Sequence, residues 1–388
     1  MSDLNQQALE LHKKFQGKLE TTPKIGVSNR DELSLAYTPG VAAVCKEIEK
    51  DKSLENQLTL RGRTIAVVTD GSAVLGLGNI GPEAAMPVME GKALLFKTFG
   101  GIDAFPICLA TQDTNEIISI VKKLIPTFAG INLEDISAPR CFEIEESLQD
   151  IGIPVMHDDQ AGAAIVTLSG LLNAAKVVGK QLKDMKIVIN GAGAAGIATA
   201  RMLLCMSFEQ GMCTPVKDLL MLDKTGIINR DRKDLNKYKR EIAERSNRDN
   251  VKGDLRTALE GADVFIGVSG PNLLTADDVK LMNSRAVIFA LANPMPEIMP
   301  EEAIRGGAKV VATGRSDYPN QINNLLAFPG VFKGALQKGA KRITNNMKLA
   351  AALKLAELVK NPTAEKIIPS VFETGLAEEV AKAVAEAV

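Results

Sequence analysis

Three glycines, Gly191, Gly193 and Gly196, end the apolar run in KIVINGAGAAG and lead into a helix-like stretch. Their G-x-G-x-x-G spacing suits a dinucleotide. The first permits a tight turn, the second lets the backbone approach a pyrophosphate, and the third lets the helix pack closely on the strand. The phosphates then meet the free N–H groups of Gly193, Ala194, Ala195 and Gly196 at a positive helix end. A second apolar run, LLML at 219–222, ends in Asp223, an acid placed to accept from a ribose hydroxyl. Its distance from the glycines exceeds the usual spacing of ~20 residues, so a longer helix or loop lies between.

Acids cluster twice where a strand should end: Glu134-Asp135 after INL, and Asp158-Asp159 after IPVMH. Oxygen-only ligands suit a hard cation such as Mg²⁺ or Mn²⁺. Each pair alone also reads as an N-cap or a solvated surface pair. Lys92 shares its helix with Met86, Val88, Met89, Leu94, Leu95 and Phe96. Desolvation there would lower an amine's pKa toward base function, while a lysine at the helix edge would simply reach water. Tyr37 precedes a Thr-Pro-Gly turn, Asn293 precedes Pro294, and the pair Asn323-Asn324 comes before a Phe-Pro-Gly turn. Such residues serve turns, and their amides also suit recognition of carboxylate or hydroxyl groups. Only two histidines are present, His12 and His157, so a Ser-His-Asp triad or histidine-rich metal site is excluded. His157 reads as a packed histidine or as an acid-base group beside Asp158.

These residues need a large scaffold, and 388 residues with 46% apolar content supply one of two or three domains. Strand-like and helix-like runs alternate, which predicts α/β architecture with parallel sheets. One block holds strands at 64–70, 104–110, 131–137 and 153–159, with helices near 83–99 and 113–125. A second, read as a Rossmann-type doubly wound sheet, holds KIVIN, LLMLD, 264–269, 286–291 and 309–314. The stretch 161–178 reads as a buried connecting helix, so the domains are expected at 1–160 and 161–388, with an alanine-rich helical C-terminus free to cover either block. Five scattered cysteines without C-x-x-C predict reduced core thiols and no disulfide framework. With 46 basic and 47 acidic residues and no basic-aromatic patch, nucleic-acid binding has no support. No run is expected to span a membrane and no leader is evident at the N-terminus, so a cytoplasmic location is the default.

The segments AYTPGV, TDGSAVLGLGNIGP, MEGKALLFK, LEDIS, HDDQAGAA, NGAGAAG, FALANP and NNLLAFPGV together resemble malic enzyme, nearest its compact bacterial or archaeal form, in order along nearly the whole chain. The resemblance implies oxidative decarboxylation of L-malate to pyruvate and CO₂ with NAD or NADP and Mg²⁺ or Mn²⁺. It implies Tyr37 as general acid, Lys92 as general base, and Glu134, Asp135 and Asp159 as metal carboxylates with the acid Asp158 beside them. Asn293 and Asn324 match amides that position substrate, Asn323 is adjacent, and Asn293 also falls by the cofactor.

The resemblance also points to a homodimer, and Asp223 to NAD over NADP. One departure stands out. Larger eukaryotic members carry arginine in a GERILGLG motif, where this chain has Ala73 in GSAVLGLG. The substrate carboxylate must then be met by backbone N–H groups of this loop or by a second subunit. Two other readings use the same turn: a metal-free Rossmann hydroxyacid or amino-acid dehydrogenase, and a non-catalytic dinucleotide sensor. Neither needs the three metal carboxylates.

Overall fold

The computed structural model describes residues 2–74, 76–209 and 211–388. Its first sheet contains β1 (Thr64–Thr69), β2 (Asp103–Cys108), β3 (Gly130–Leu133) and β4 (Val155–His157), ordered β2-β1-β3-β4 with all neighbours parallel. β1 and β3, TIAVVT and GINL, are buried at every residue, as strands covered on both faces must be. Proline at the first turn starts the helix Pro82–Leu95, and Asp113 caps Thr114–Leu124 through the N–H of Glu116. The expected strands at 131–137 and 153–159 are shorter. Asp135 turns into the left-handed region, φ 53°, and a helix starts at Asp158.

The second sheet runs β10-β9-β8-β5-β6-β7, from β5 (Lys186–Asn190), β6 (Asp218–Asp223), β7 (Gly226–Ile227), β8 (Val264–Gly267), β9 (Val287–Ala290) and β10 (Val310–Thr313). Only the edge strand β7 is antiparallel. The chain steps outward from β5 to β6 and then returns to the other side of β5 as β8. A crevice therefore opens at the carboxyl ends of β5 and β8, the switch point of a doubly wound sheet. The expected α/β class, with its Rossmann-type second sheet, is the observed one.

The helix Asp158–Val178 joins the sheets, starting directly from β4 and ending at the left-handed Gly179. The expected boundary at 160 falls inside it, so the blocks are linked by continuous helix. Contrary to the expectation that no run could span a membrane, this helix has that length and a mean hydropathy of 1.5. Its apolar window is 78% buried within the protein, the position of a core helix. The C-terminal helix Phe328–Gln337 folds back onto the first block, where Phe328 and Phe332 pack on Phe96 at centroid distances of 4.5 and 5.5 Å.

The cysteines also depart from expectation. Cys205 and Cys213 form a disulfide, Cys45 is exposed, Cys108 is half-buried, and only Cys141 is a buried thiol. The N-terminal helices Arg30–Ala36 and Val41–Lys50 bury no residue, leaving apolar side chains such as Leu35 in solvent.

Candidate active site

Strand ends and one helix start bring the predicted acids together. Glu134 and Asp135 follow β3, Asp158 and Asp159 form the first turn after β4, and β3 pairs directly with β4. Ligand oxygens of Glu134, Asp135 and Asp159 all lie within 4.8 Å of one another. Asp135 is fixed through its backbone, donating its N–H to Asp159 Oδ2 at 2.7 Å and accepting from the N–H of Ala73 at 2.9 Å. Left-handed backbone at a non-glycine residue is strain of the kind that functional sites retain. Asn132 donates to Glu134 Oε2 at 2.7 Å and orients it; alternation along β3 puts residues 132 and 134 on one face, and that period of two is the sequence signal for this contact.

Lys92 is buried, and its Nζ lies 2.6 Å from Asp158 Oδ2, 2.9 Å from Glu134 Oε1 and 4.2 Å from the Phe328 ring centroid. The pKa-lowering expected of it does not occur in this arrangement. Burial alone would lower the ammonium pKa, but the charges of Asp158 and Glu134 outweigh it and hold Lys92 above its ordinary value. Burial raises the carboxyl pKa of both Glu134 and Asp158, with Lys92 pulling each back. Four acids against one cation leave an excess of negative charge in a low-dielectric pocket, and Asp158 Oδ1 is buried without a hydrogen bond among the described residues. Hard oxygen donors with uncompensated charge fit a divalent cation. His157 is fully buried, donates its backbone N–H to Glu145 Oε1 at 3.1 Å, and lies 3.5 Å from Asp159 through Nε2.

The amides divide. A Cβ on Gly162 would stand 2.0 Å from Asp158 Oδ1 and 2.9 Å from Asn324 Cβ, which places Asn324 beside the cluster. Asn323 instead caps its own turn, accepting from the N–H of Leu325 at 2.9 Å. Asn293 follows β9; its backbone abuts Gly76, and its side-chain amide abuts Gly314. In the glycine-rich loop 71–81, Gly71 donates to Thr69 Oγ1, Ser72 to Asp70, Ala73 to Asp135, Val74 to Gly78, Leu77 to Val74, and Ile80 and Gly81 to Gly71. These bonds occupy part of the backbone cradle expected to replace the missing arginine, with Leu75 outside the described residues. Nearby Arg140 is engaged with buried Asp70 at 2.8 Å.

Tyr37 is not joined to this cluster. Its side chain is 67% exposed at the end of Arg30–Ala36, and its phenol makes no hydrogen bond among the described residues.

Across the crevice, Gly191 has φ +125°, and a Cβ on Gly196 would stand 1.8 Å from the carbonyl oxygen of Gly191. Only glycine fits this turn. The helix Ala194–Leu203 then begins at Gly193 with no side-chain cap, leaving its first N–H groups available to phosphates. Asp223 ends β6 as expected but is not free. Arg232 meets it at 2.8 and 3.1 Å and Lys239 at 2.6 Å, and its carboxyl is held at about 2 because these bonds outweigh desolvation.

The chain matches the family models described as malic enzyme, N-terminal domain, over residues 16–149, and malic enzyme, NAD binding domain, over residues 160–388. A protein of Geobacillus stearothermophilus described as NAD-dependent malic enzyme is 55% identical over 96% of this chain and 76% of its own length. A Bacillus subtilis (strain 168) protein described as bifunctional malic/malolactic enzyme is 53% identical over 99% of this chain and 93% of its own. The crystal structure of NAD-dependent malic enzyme from Thermotoga maritima superposes with a TM-score of 0.93 at 50% identity, covering 98% of this chain and 99% of that one. Relatives described as NADP-dependent malic enzymes match at 42–45% identity over 93–99% of this chain, which spans 47–52% of their lengths.

Proposed function

The chain belongs to the malic enzyme family, an oxidoreductase that decarboxylates malate with NAD or NADP, and from that premise we propose how its own residues carry the reaction. The observation that carries the assignment is Lys92 bridging Asp158 and Glu134 at the edge of the carboxylate cluster. We assign Glu134, Asp135 and Asp159 as holders of a divalent cation, Mg²⁺ or Mn²⁺. Such a cation supplies positive charge that draws density from the substrate's oxygens and offsets the carboxylate field that keeps Lys92 protonated. Lys92 takes the C2 hydroxyl proton and Asp158, 2.6 Å away, relays it. The turn Gly191–Gly196 would hold the pyrophosphate of NAD or NADP, which would supply the hydride acceptor. Asn324 and Asn293 orient the substrate, and loss of CO₂ leaves an enolate that Tyr37 protonates at C3.

Tyr37 reaches that carbon from a second copy of the chain. The N-terminal segment exposes Leu9, Phe15, Leu35 and Tyr37, and its helices Arg30–Ala36 and Val41–Lys50 bury nothing in their own chain. Exposed apolar side chains on helices without a buried residue of their own favour an interface. A homodimer formed through it buries this N-terminal arm, delivers Tyr37, and supplies the carboxylate contact that Ala73 lacks. The direct test is absorbance of reduced nicotinamide with L-malate, with and without Mn²⁺, using NAD and NADP in turn. Malate-dependent reduction that needs the cation is expected; reduction without it in excess chelator would overturn the cation assignment.

A further inference from the structure

Cys205 and Cys213 are joined immediately behind the helix Ala194–Leu203. The N–H of Cys205 donates to the carbonyl of Met202 at 3.1 Å, and Cys213 Sγ lies 3.9 Å from the same oxygen, so the clasp closes on the helix's last turn. Both cysteines are half-buried, and Ser207, Glu209, Gly211 and Met212 between them are exposed, which gives a soluble thiol access. The loop backbone is unusual. Cys205 and Ser207 have φ 54° and 62°, a left-handed conformation that non-glycine residues keep only where their surroundings over-determine it. Met206 is buried in the core, Phe208 packs against it, and the carbonyl of Ser207 accepts from Asn345 Nδ2 at 3.1 Å. These three loop residues wall a cavity of about 610 Å³. The cavity is also lined by Arg201, on the helix Ala194–Leu203, and by Gln160, adjacent to Asp159 on the connecting helix.

We propose that Cys205 and Cys213 form a reversible thiol–disulfide switch that controls how firmly the helix Ala194–Leu203 is seated for the dinucleotide. The proposal rests on reading that helix as the cofactor helix. Its reductant is a dithiol. One reductant thiolate attacks a cysteine sulfur, the S–S bond breaks, and a mixed disulfide forms with release of the other cysteine thiolate. The reductant's second thiolate then displaces the remaining cysteine, leaving the reductant as a disulfide and the protein as two thiols, two electrons and two protons richer. A disulfide this accessible, in a fold that does not depend on a disulfide framework, belongs to the redox-sensing class. Once it opens, Cys205 and Ser207 relax from the left-handed region, and the last turn of the helix loses its anchor.

The test uses the full chain in two pools, one oxidised and one reduced with dithiothreitol and then desalted, with alkylation and mass mapping of each cysteine. NADH affinity is read by fluorescence. The reduced pool is expected to bind NADH ~5-fold or more weakly, the lower end of a regulatory coupling. Cys205→Ser/Cys213→Ser should bind weakly under both conditions. Equal affinity in the two pools, or alkylation of both cysteines before reduction, overturns the switch while leaving the cofactor assignment standing. Failure of both pools to bind either NADH or NADPH overturns the cofactor assignment and the switch with it. The comparison of the two wild-type pools holds even where the serine substitutions unfold the chain.

Discussion

Lys92 Nζ and Asp158 Oδ2 lie 2.6 Å apart in a pocket where Asp158 is wholly buried, joining a helix of the first sheet to the start of the helix that leads into the second. The pair is therefore both a proton path and a brace. Removing the lysine leaves Asp158 and Glu134 buried without their cation.

Lys92→Ala is expected to lower malate oxidation by ~10²-fold or more, the usual range for loss of a general base. It should also destabilise the fold by about 3 kcal/mol or more, the scale for breaking a buried ion pair from one side. Lys92→Ala/Asp158→Asn should recover part of that stability without recovering activity, because the uncompensated charge has gone but the base has not returned. Denaturant melts beside steady-state rates check this. A double variant no more stable than Lys92→Ala would refute the brace.

Asp159→Asn keeps shape but removes an anionic ligand from the three converging carboxylates. Mn²⁺ affinity is expected to fall ~10-fold or more, since hard cations depend on charged oxygen donors. Titration of Mn²⁺ binding reads this without turnover. Asp159→Asn also replaces the charged acceptor of the Asp135 N–H with a weaker, neutral amide oxygen, so the strained turn at Asp135 should become more exposed to hydrogen exchange.

The glycine turn, both acid pairs and Lys92 were legible because each is local: strand-end position and residue type carry the chemistry. What could not be read is what approaches from elsewhere in the chain. Asp223 looked like a free ribose acceptor, yet Arg232 and Lys239, nine and sixteen residues on, fold back onto it. Apolar neighbours suggested that Lys92 would be desolvated toward neutrality; burial came, but with it two carboxylates from β3 and β4 that reverse the sign. Cys205 and Cys213 showed no motif because a loop, rather than a spacing rule, brings them together. Tyr37 matched its family position, but the sequence could not say that its own chain leaves it in solvent.

Asp223 gives a cofactor prediction with a pH signature. Asp223 holds Arg232 and Lys239 in ion pairs and so keeps both cations from a 2′-phosphate, and NAD is expected to be the better cofactor. Asp223→Asn frees Arg232 and Lys239 to meet that phosphate, and the NADP-to-NAD ratio of kcat/KM should rise ~10-fold or more, as for a new charge-assisted contact. Because the folded pKa is depressed to about 2, the carboxylate's stabilisation is fully present above its unfolded value and is lost as pH falls through about 2. Wild type and Asp223→Asn should therefore differ in stability at neutral pH and converge in strong acid. An unchanged cofactor ratio would show that the two cations serve only to hold the loop.

The placement of Tyr37 is tested by mixing two inactive chains. Lys92→Ala retains its tyrosine, and Tyr37→Phe retains its lysine. If each site takes Lys92 from one copy and Tyr37 from the other, a mixed dimer contains one site with both residues intact and one with neither. If each chain uses its own tyrosine, every site in the mixture lacks one of the two. Unfolding and refolding equal amounts together should then restore ~25% of wild-type activity, since random pairing makes half the dimers mixed and half their sites complete. Each variant refolded alone should stay inactive. A mixture as inactive as its parents, with sedimentation showing mixed dimers present, would place Tyr37 in the site of its own chain and require the N-terminal arm to fold inward on substrate binding.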